Sequence, residues 1–98
     1  MVTNYSGWRA SIRRVTAAYT VVSTDCIIFA DATTATFQVT LPAAVDNTVL
    51  FIKKTTEANI VQIIADGSET IDGDNTLDII GQNDCVMIAA EGGKWGIV

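Results

Sequence analysis

The chain has 98 residues, a net charge of −5, 49% hydrophobic residues and only 17% charged ones, against about 25% charged in typical soluble domains. That length sets one domain with a thin core, and no run approaches the ~18 consecutive apolar residues of a membrane span. With no histidine in the chain, the Ser-His-Asp and Cys-His arrangements of nucleophilic catalysis are excluded.

Residues 1–18 carry Arg9, Arg13 and Arg14 and no acid, whereas the rest holds all eleven acids against Lys53, Lys54 and Lys94. This division predicts a basic N-terminal arm (1–18) on an acidic β domain (19–98). Trp8, Ala10 and Ile12 alternate with Arg9, Ser11 and Arg13, which favours an extended segment, though Trp8, Ile12 and Val15 also fit helical spacing. The start Met1-Val2-Thr3-Asn4 has no positive region ahead of an apolar core, so a secretory leader is not expected and synthesis in the cytoplasm is. An acidic body repels phosphate, so nucleic acid is an unfavourable partner.

From Tyr19 onward the pattern is strand and turn. Tyr19–Val22 is followed by a turn at Ser23-Thr24-Asp25, and Cys26–Ala30 is apolar on both faces. Thr36–Leu41 places Phe37, Val39 and Leu41 on one face, and Pro42, which lacks a ladder donor, ends it. Val49–Lys54 reads as a strand that becomes solvated at its lysines. Ile60–Ala65, a Thr70-Ile71 fragment and Thr76–Ile80 follow, separated by Asp-Gly and Gly-Gln-Asn turns. Asp84–Ala90 is the most apolar strand, and Gly92-Gly93 turns it back into Lys94–Val98 as a hairpin.

These elements predict an all-β fold, a small antiparallel sandwich or barrel. Short loops suggest that sequence neighbours pair antiparallel. Strands apolar on both faces need cover on both, and another copy of the chain supplies it. Ile28, Phe29, Val86, Met87, Ile88 and Trp95 are therefore expected in the core or in an interface between copies.

Chemistry is sparse. Cys26 and Cys85 lie in apolar runs and are expected as buried free thiols rather than a disulfide. With no third cysteine and no histidine, no zinc pattern exists. Asp72, Asp74, Thr76 and Asp78 alternate like the start of a calcium loop. Leu77 occupies the position that should be glycine, however, and Asn83 the one that should be an acid. Glu69 and Asp72 are the one pair that would serve a carboxylate mechanism, and turn chemistry explains them better. No catalytic residue, cofactor or metal is expected, and the chain reads as a non-enzyme.

Tyr19-Thr20-Val21, Ile28-Phe29-Ala30-Asp31-Ala32-Thr33, Val39-Thr40-Leu41-Pro42-Ala43-Ala44 and Ile52-Lys53-Lys54-Thr55 occur in that order. Gly67-Ser68-Glu69-Thr70-Ile71-Asp72-Gly73 and Gly92-Gly93-Lys94-Trp95-Gly96-Ile97-Val98 follow them. Together they resemble a module of bacteriophage structural proteins found in tail fibres, head fibres and related virion appendages. Ala65 stands where that module often has proline, and Gly96 where it often has a second aromatic. The resemblance implies a homotrimer about a three-fold axis and a place in the virion. With only eighteen residues ahead of the module, a trimeric capsid decoration or short head-fibre protein is expected. Its arm residues Tyr5, Trp8, Arg9, Ile12, Arg13 and Arg14 would attach it to the major capsid protein or another virion protein. The alternative is a tail-fibre or baseplate tip that binds a host surface glycan, with Trp95 and the 72–75 loop as the contact. A depolymerase using turn carboxylates is the third reading.

Overall fold

In the computed structural model, which describes residues 10–98, the chain shuttles between two sheets. Its nine strands are β1 (Ile12–Val15), β2 (Tyr19–Thr20), β3 (Ile27–Ala30), β4 (Phe37–Thr40), β5 (Val49–Lys54), β6 (Val61–Ile64), β7 (Thr76–Ile79), β8 (Cys85–Glu91) and β9 (Lys94–Ile97). One sheet runs β1-β3-β5-β8-β9 and the other β2-β4-β6-β7. No helix occurs among the described residues, so the all-β expectation holds.

The pairing differs from expectation. Four of the seven strand pairings are parallel and three antiparallel. The sheets are mixed, and the antiparallel sandwich is corrected accordingly. The cause lies in the connections. Residues 31–36, 41–48 and 55–60 are too long for tight hairpins, and each carries the chain across to the opposite sheet. Sequence neighbours then face each other across the core. Parallel partners need a crossover between them, and here that crossover is a strand of the other sheet. The result is three stacked coils, β1–β2, β3–β4 and β5–β6. Twenty-four residues separate Ile27 from its partner Phe51, and likewise Phe37 from Val61.

Hairpins end the stack. β7 folds back on β6, and β8 and β9 extend β5 antiparallel. Asp72 and Gly73 (φ 49° and 91°) and Gly92 and Gly93 (φ 64° and 77°) occupy the left-handed region that two-residue hairpin turns require. The outer edge of β9 is covered rather than bare. Trp95 N–H donates to Thr70 O (2.9 Å), Asp72 N–H to Trp95 O (3.0 Å), and Ile97 N–H to Asp72 Oδ1 (3.2 Å). An edge so occupied offers few free groups to another strand.

Between the sheets lies one core. Ile28, Ala30, Leu50, Ile52, Ile88 and Trp95 enter from the five-stranded sheet, and Phe37, Val39, Val61, Ile63 and Ile79 from the other. The alternation in Phe37–Leu41 predicts this placement. Lys54 corrects the expected solvated end of β5, because it is fully buried beside that core. Its Nζ donates to the carbonyls of Thr56 and Glu57, the latter at 3.1 Å. The ammonium therefore holds the 55–60 corner from inside, and its hydrogen bonds offset the cost of burying it. The same corner stacks on the one before it: Ala32 N–H donates to Thr56 Oγ1 (3.1 Å), and Asn59 Nδ2 to Ala32 O (2.7 Å).

Candidate interaction surface

The acids are spent on the backbone. Six of the eleven accept a main-chain N–H: Asp25 from Val22, Asp31 from Thr33, Asp46 from Gly92, Glu69 from Ala44, Asp72 from Ile97 and Asp84 from Gly81. Glu69 and Asp72 thus have structural partners on different segments. Among the described residues no group of three or more potential metal ligands comes together.

One buried carboxylate gathers a polar cluster that reaches the surface through Arg13. The Asp25 carboxylate, completely covered, accepts from Arg13 Nε (2.9 Å), Tyr19 Oη (2.5 Å) and the Val22 N–H (3.0 Å). Burial opposes its charge. The hydrogen bonds from Tyr19, Val22 and Arg13 outweigh that effect and hold its carboxyl below the usual carboxylate range. Tyr19 is pushed up, by burial first and then by its bond to Asp25, and the Arg13 guanidinium is pushed up by Asp25. The Arg13 guanidinium also lies 5.1 Å from the Tyr19 ring centroid, within cation–π range. The cluster joins β1, β2 and the turn before β3 into one unit.

Ile12–Val15 is accordingly the edge strand of the five-stranded sheet, paired parallel with β3. The extended reading of this segment holds from Ile12, and the last part of the expected arm is built into the β domain. Arg13 faces inward to Asp25. Ile12 and Arg14 face outward, with the Arg14 guanidinium 5.7 Å from the Phe29 ring centroid. Tyr5, Trp8 and Arg9 lie outside the described residues.

The two outer surfaces differ sharply. On the four-stranded sheet, Gln38 Nε2 donates to Gln62 Oε1 (3.0 Å) and Gln62 Nε2 to Asp78 Oδ1 (3.1 Å). Beside this ladder Thr20, Thr40, Ile64 and Thr76 stand in one row. On the five-stranded sheet, Ile12, Ile27, Phe51 and Met87 form one row across four strands. Arg14, Phe29, Lys53 and Cys85 form the next, and Val49, Ala89 and Gly96 flank the first row on its other side. Ile12 is 60% exposed and Val49 is also exposed, while Ile27, Phe29, Phe51, Met87 and Ala89 are half-buried. The Ile12, Ile27, Phe51 and Met87 row is apolar throughout, and the cations Arg14 and Lys53 stand in the row beside it.

The residues expected in core or interface divide between the two sides of this sheet. Ile28, Ile88 and Trp95 are in the core and Val86 packs against it, whereas Phe29 and Met87 lie on the outer face. Trp95 is 1% exposed and presents no ring face on which a sugar could stack. Its indole N–H has no acceptor among the described residues. Cys26 and Cys85 are free, as expected, but Cys85 is exposed rather than buried. It sits on the outer side of β8, where the apolar run faces away from the core.

Ile27, Phe51, Asp25 and Lys54 were not singled out by sequence reasoning. The 24-residue spacing carries a signal for the first two, because it stacks Gln62 on Gln38, Ile63 on Val39 and Phe51 on Ile27. No family model matches the chain, and no curated protein matches it either.

Proposed function

We propose that this chain is a non-enzymatic structural protein of a bacteriophage virion surface, a homotrimeric capsid decoration or short head fibre made in the host cytoplasm. The observation that carries the reading is the lopsided exterior. One outer face is closed by its own amide ladder, while the other leaves the Ile12, Ile27, Phe51 and Met87 row open to water. An apolar face of this kind on a small domain marks a contact with protein. The acids support the same reading, since six of the eleven accept a main-chain N–H and so hold the backbone. The order of segments from Tyr19 to Val98 supplies the virion context, and the exposed Ile12 and Arg14 remain the described candidates for contact with a shell protein.

The test is direct. Antibody raised against the purified chain is expected to label the heads of intact phage particles from a lysate producing it. Label on tail tips alone would favour the tail-fibre reading, and an absence of label on any particle would overturn the virion role.

A further inference from the structure

We propose that the Asp66–Gly67 peptide converts to isoaspartate in the folded chain, and that the fold spares the other Asp-Gly peptide, Asp72–Gly73. In the sequence no other aspartate, and no asparagine, is followed by glycine. Glycine favours the reaction because it has no Cβ to crowd its own nitrogen and its backbone turns freely. The Gly67 main-chain nitrogen attacks Cγ of the protonated Asp66 carboxyl, and an N–C bond forms. The carboxyl hydroxyl leaves as water with the nitrogen's proton, which closes a succinimide ring. Water then opens the ring at the original main-chain carbonyl. The chain afterwards runs through Cγ and is one methylene longer, and the former main-chain carbonyl has become a free carboxylate. One water leaves and one returns, with nothing oxidised or reduced.

The structure treats the two peptides differently. Asp66, Gly67 and Ser68 are exposed, in the turn that the Glu69 N–H closes on Asp66 O (2.9 Å). Among the described residues, neither the Asp66 carboxylate nor the Gly67 N–H has a hydrogen-bond or ion-pair partner. Exposure does not separate the two, since Asp72 and Gly73 are exposed as well. Nor does space: beyond its chain neighbours, no heavy atom lies within 4 Å of the place a Cβ would take on either glycine. The difference lies at the carboxyl. Asp72 Oδ1 accepts the Ile97 N–H (3.2 Å). The Asp72 N–H donates to Trp95 O (3.0 Å), and reciprocal bonds between Ile71 and Asp74 close the turn around it (2.6 and 3.1 Å). Before the Gly73 nitrogen reaches Cγ there, the carboxyl has to release Ile97. Isomerisation at residue 66 acts on what its turn holds. Asn75 Nδ2 donates to Gly67 O (3.1 Å) and Glu69 O (2.8 Å), and Glu69 Oε1 accepts the Ala44 N–H (2.9 Å). An added methylene moves the Gly67 carbonyl off Asn75 and loosens the connection between β6 and β7.

The test ages the full chain at physiological temperature and pH. Isoaspartate is located by methyl transfer from a protein isoaspartyl methyltransferase and by mass-spectrometric fragmentation of the peptides that carry Asp66 and Asp72. In the folded protein it should accumulate at Asp66 about tenfold faster than at Asp72, the ratio expected when a hydrogen bond to a carboxylate must break first. In urea the two rates should converge. Asp66→Glu, which needs a larger and slower-closing ring, should abolish the signal at that position and leave circular dichroism unchanged. Amide exchange in the aged wild type should quicken within residues 66–75, and aged Asp66→Glu should show no such change. Isoaspartate at Asp66 in urea alone would mean that the folded turn protects it. Equal accumulation at both peptides of the folded chain would mean that the Ile97 hydrogen bond does not hold Asp72. Either result overturns the proposal.

Discussion

The outer face of the four-stranded sheet and that of the five-stranded sheet are made by the same coils, yet one is finished and the other is not. Stacking at a fixed spacing places Gln62 beside Gln38 and Phe51 beside Ile27. Each face therefore repeats, coil by coil, whatever the outward positions hold. Amides in such a row satisfy one another, and Asp78 ends the ladder by accepting from Gln62. Hydrocarbon in such a row satisfies nothing until another surface covers it. One fold thus produces a surface for water and a surface for protein, differing only at alternate residues.

Four substitutions probe that contrast. The largest effect is expected inside the sandwich. Ile88→Asp puts an unpaired charge in the fully buried layer beneath the apolar face, at a cost of about 4–5 kcal/mol or more. Loss of the cooperative unfolding transition in circular dichroism would be the sign. A folded Ile88→Asp protein would mean that the core and outer sides of β8 are assigned the wrong way round.

Next comes Asp25→Asn, which keeps the shape of the buried carboxylate and removes its charge. A loss of about 1.5–3 kcal/mol in urea unfolding is expected, the range for hydrogen bonds to a charged group. Asp25 has its pKa lowered by folding, so its contribution is present above the unfolded carboxylate range and fades as pH falls through the folded value. Wild-type stability should drop on acidification more steeply than that of Asp25→Asn. Equal slopes would remove Asp25 as the group that secures the edge strand of the apolar face.

Lys54→Met tests the buried ammonium. The methylene stem is nearly matched, but the carbonyls of Thr56 and Glu57 lose their donor. A loss of about 1–3 kcal/mol, with faster amide exchange confined to residues 55–60, is expected. Uniformly faster exchange would show that Lys54 supports the whole fold and not the corner alone. Smallest of all is Gln62→Ala on the polar face, where two solvent-accessible hydrogen bonds vanish. About 0.5–1.5 kcal/mol is expected, with no change in the number of chains per particle by light scattering. A change in that number would make the polar face an interface as well.

Much of the strand content was legible in the sequence. Phe37, Val39 and Leu41 alternate with polar residues and are buried, and the Gly92-Gly93 turn sits where the left-handed backbone is needed. Pairing was less legible. Whether two strands run parallel depends on which sheet each enters, and alternation within a strand is silent on that. The 24-residue recurrence of Phe37-Gln38-Val39 as Val61-Gln62-Ile63 held the missing information, blurred because only one full spacing is shared by both sheets. Lys54 resisted reading because a buried ammonium depends on the carbonyls of the turn that follows it. Asp25 resembled any turn acid until β1 and β2 brought Arg13 and Tyr19 to it. Of the proposed contact face, Phe29, Met87, Ile12 and Arg14 were visible as candidates. Ile27 and Phe51 joined them only through register.

The contrast between the two faces is tested most directly by placing the same charge on each. Light scattering should find three chains per particle for the wild type and for Gln38→Lys, and a single folded chain for Met87→Lys. Three chains per particle in Met87→Lys, or dissociation by Gln38→Lys alone, would contradict the account.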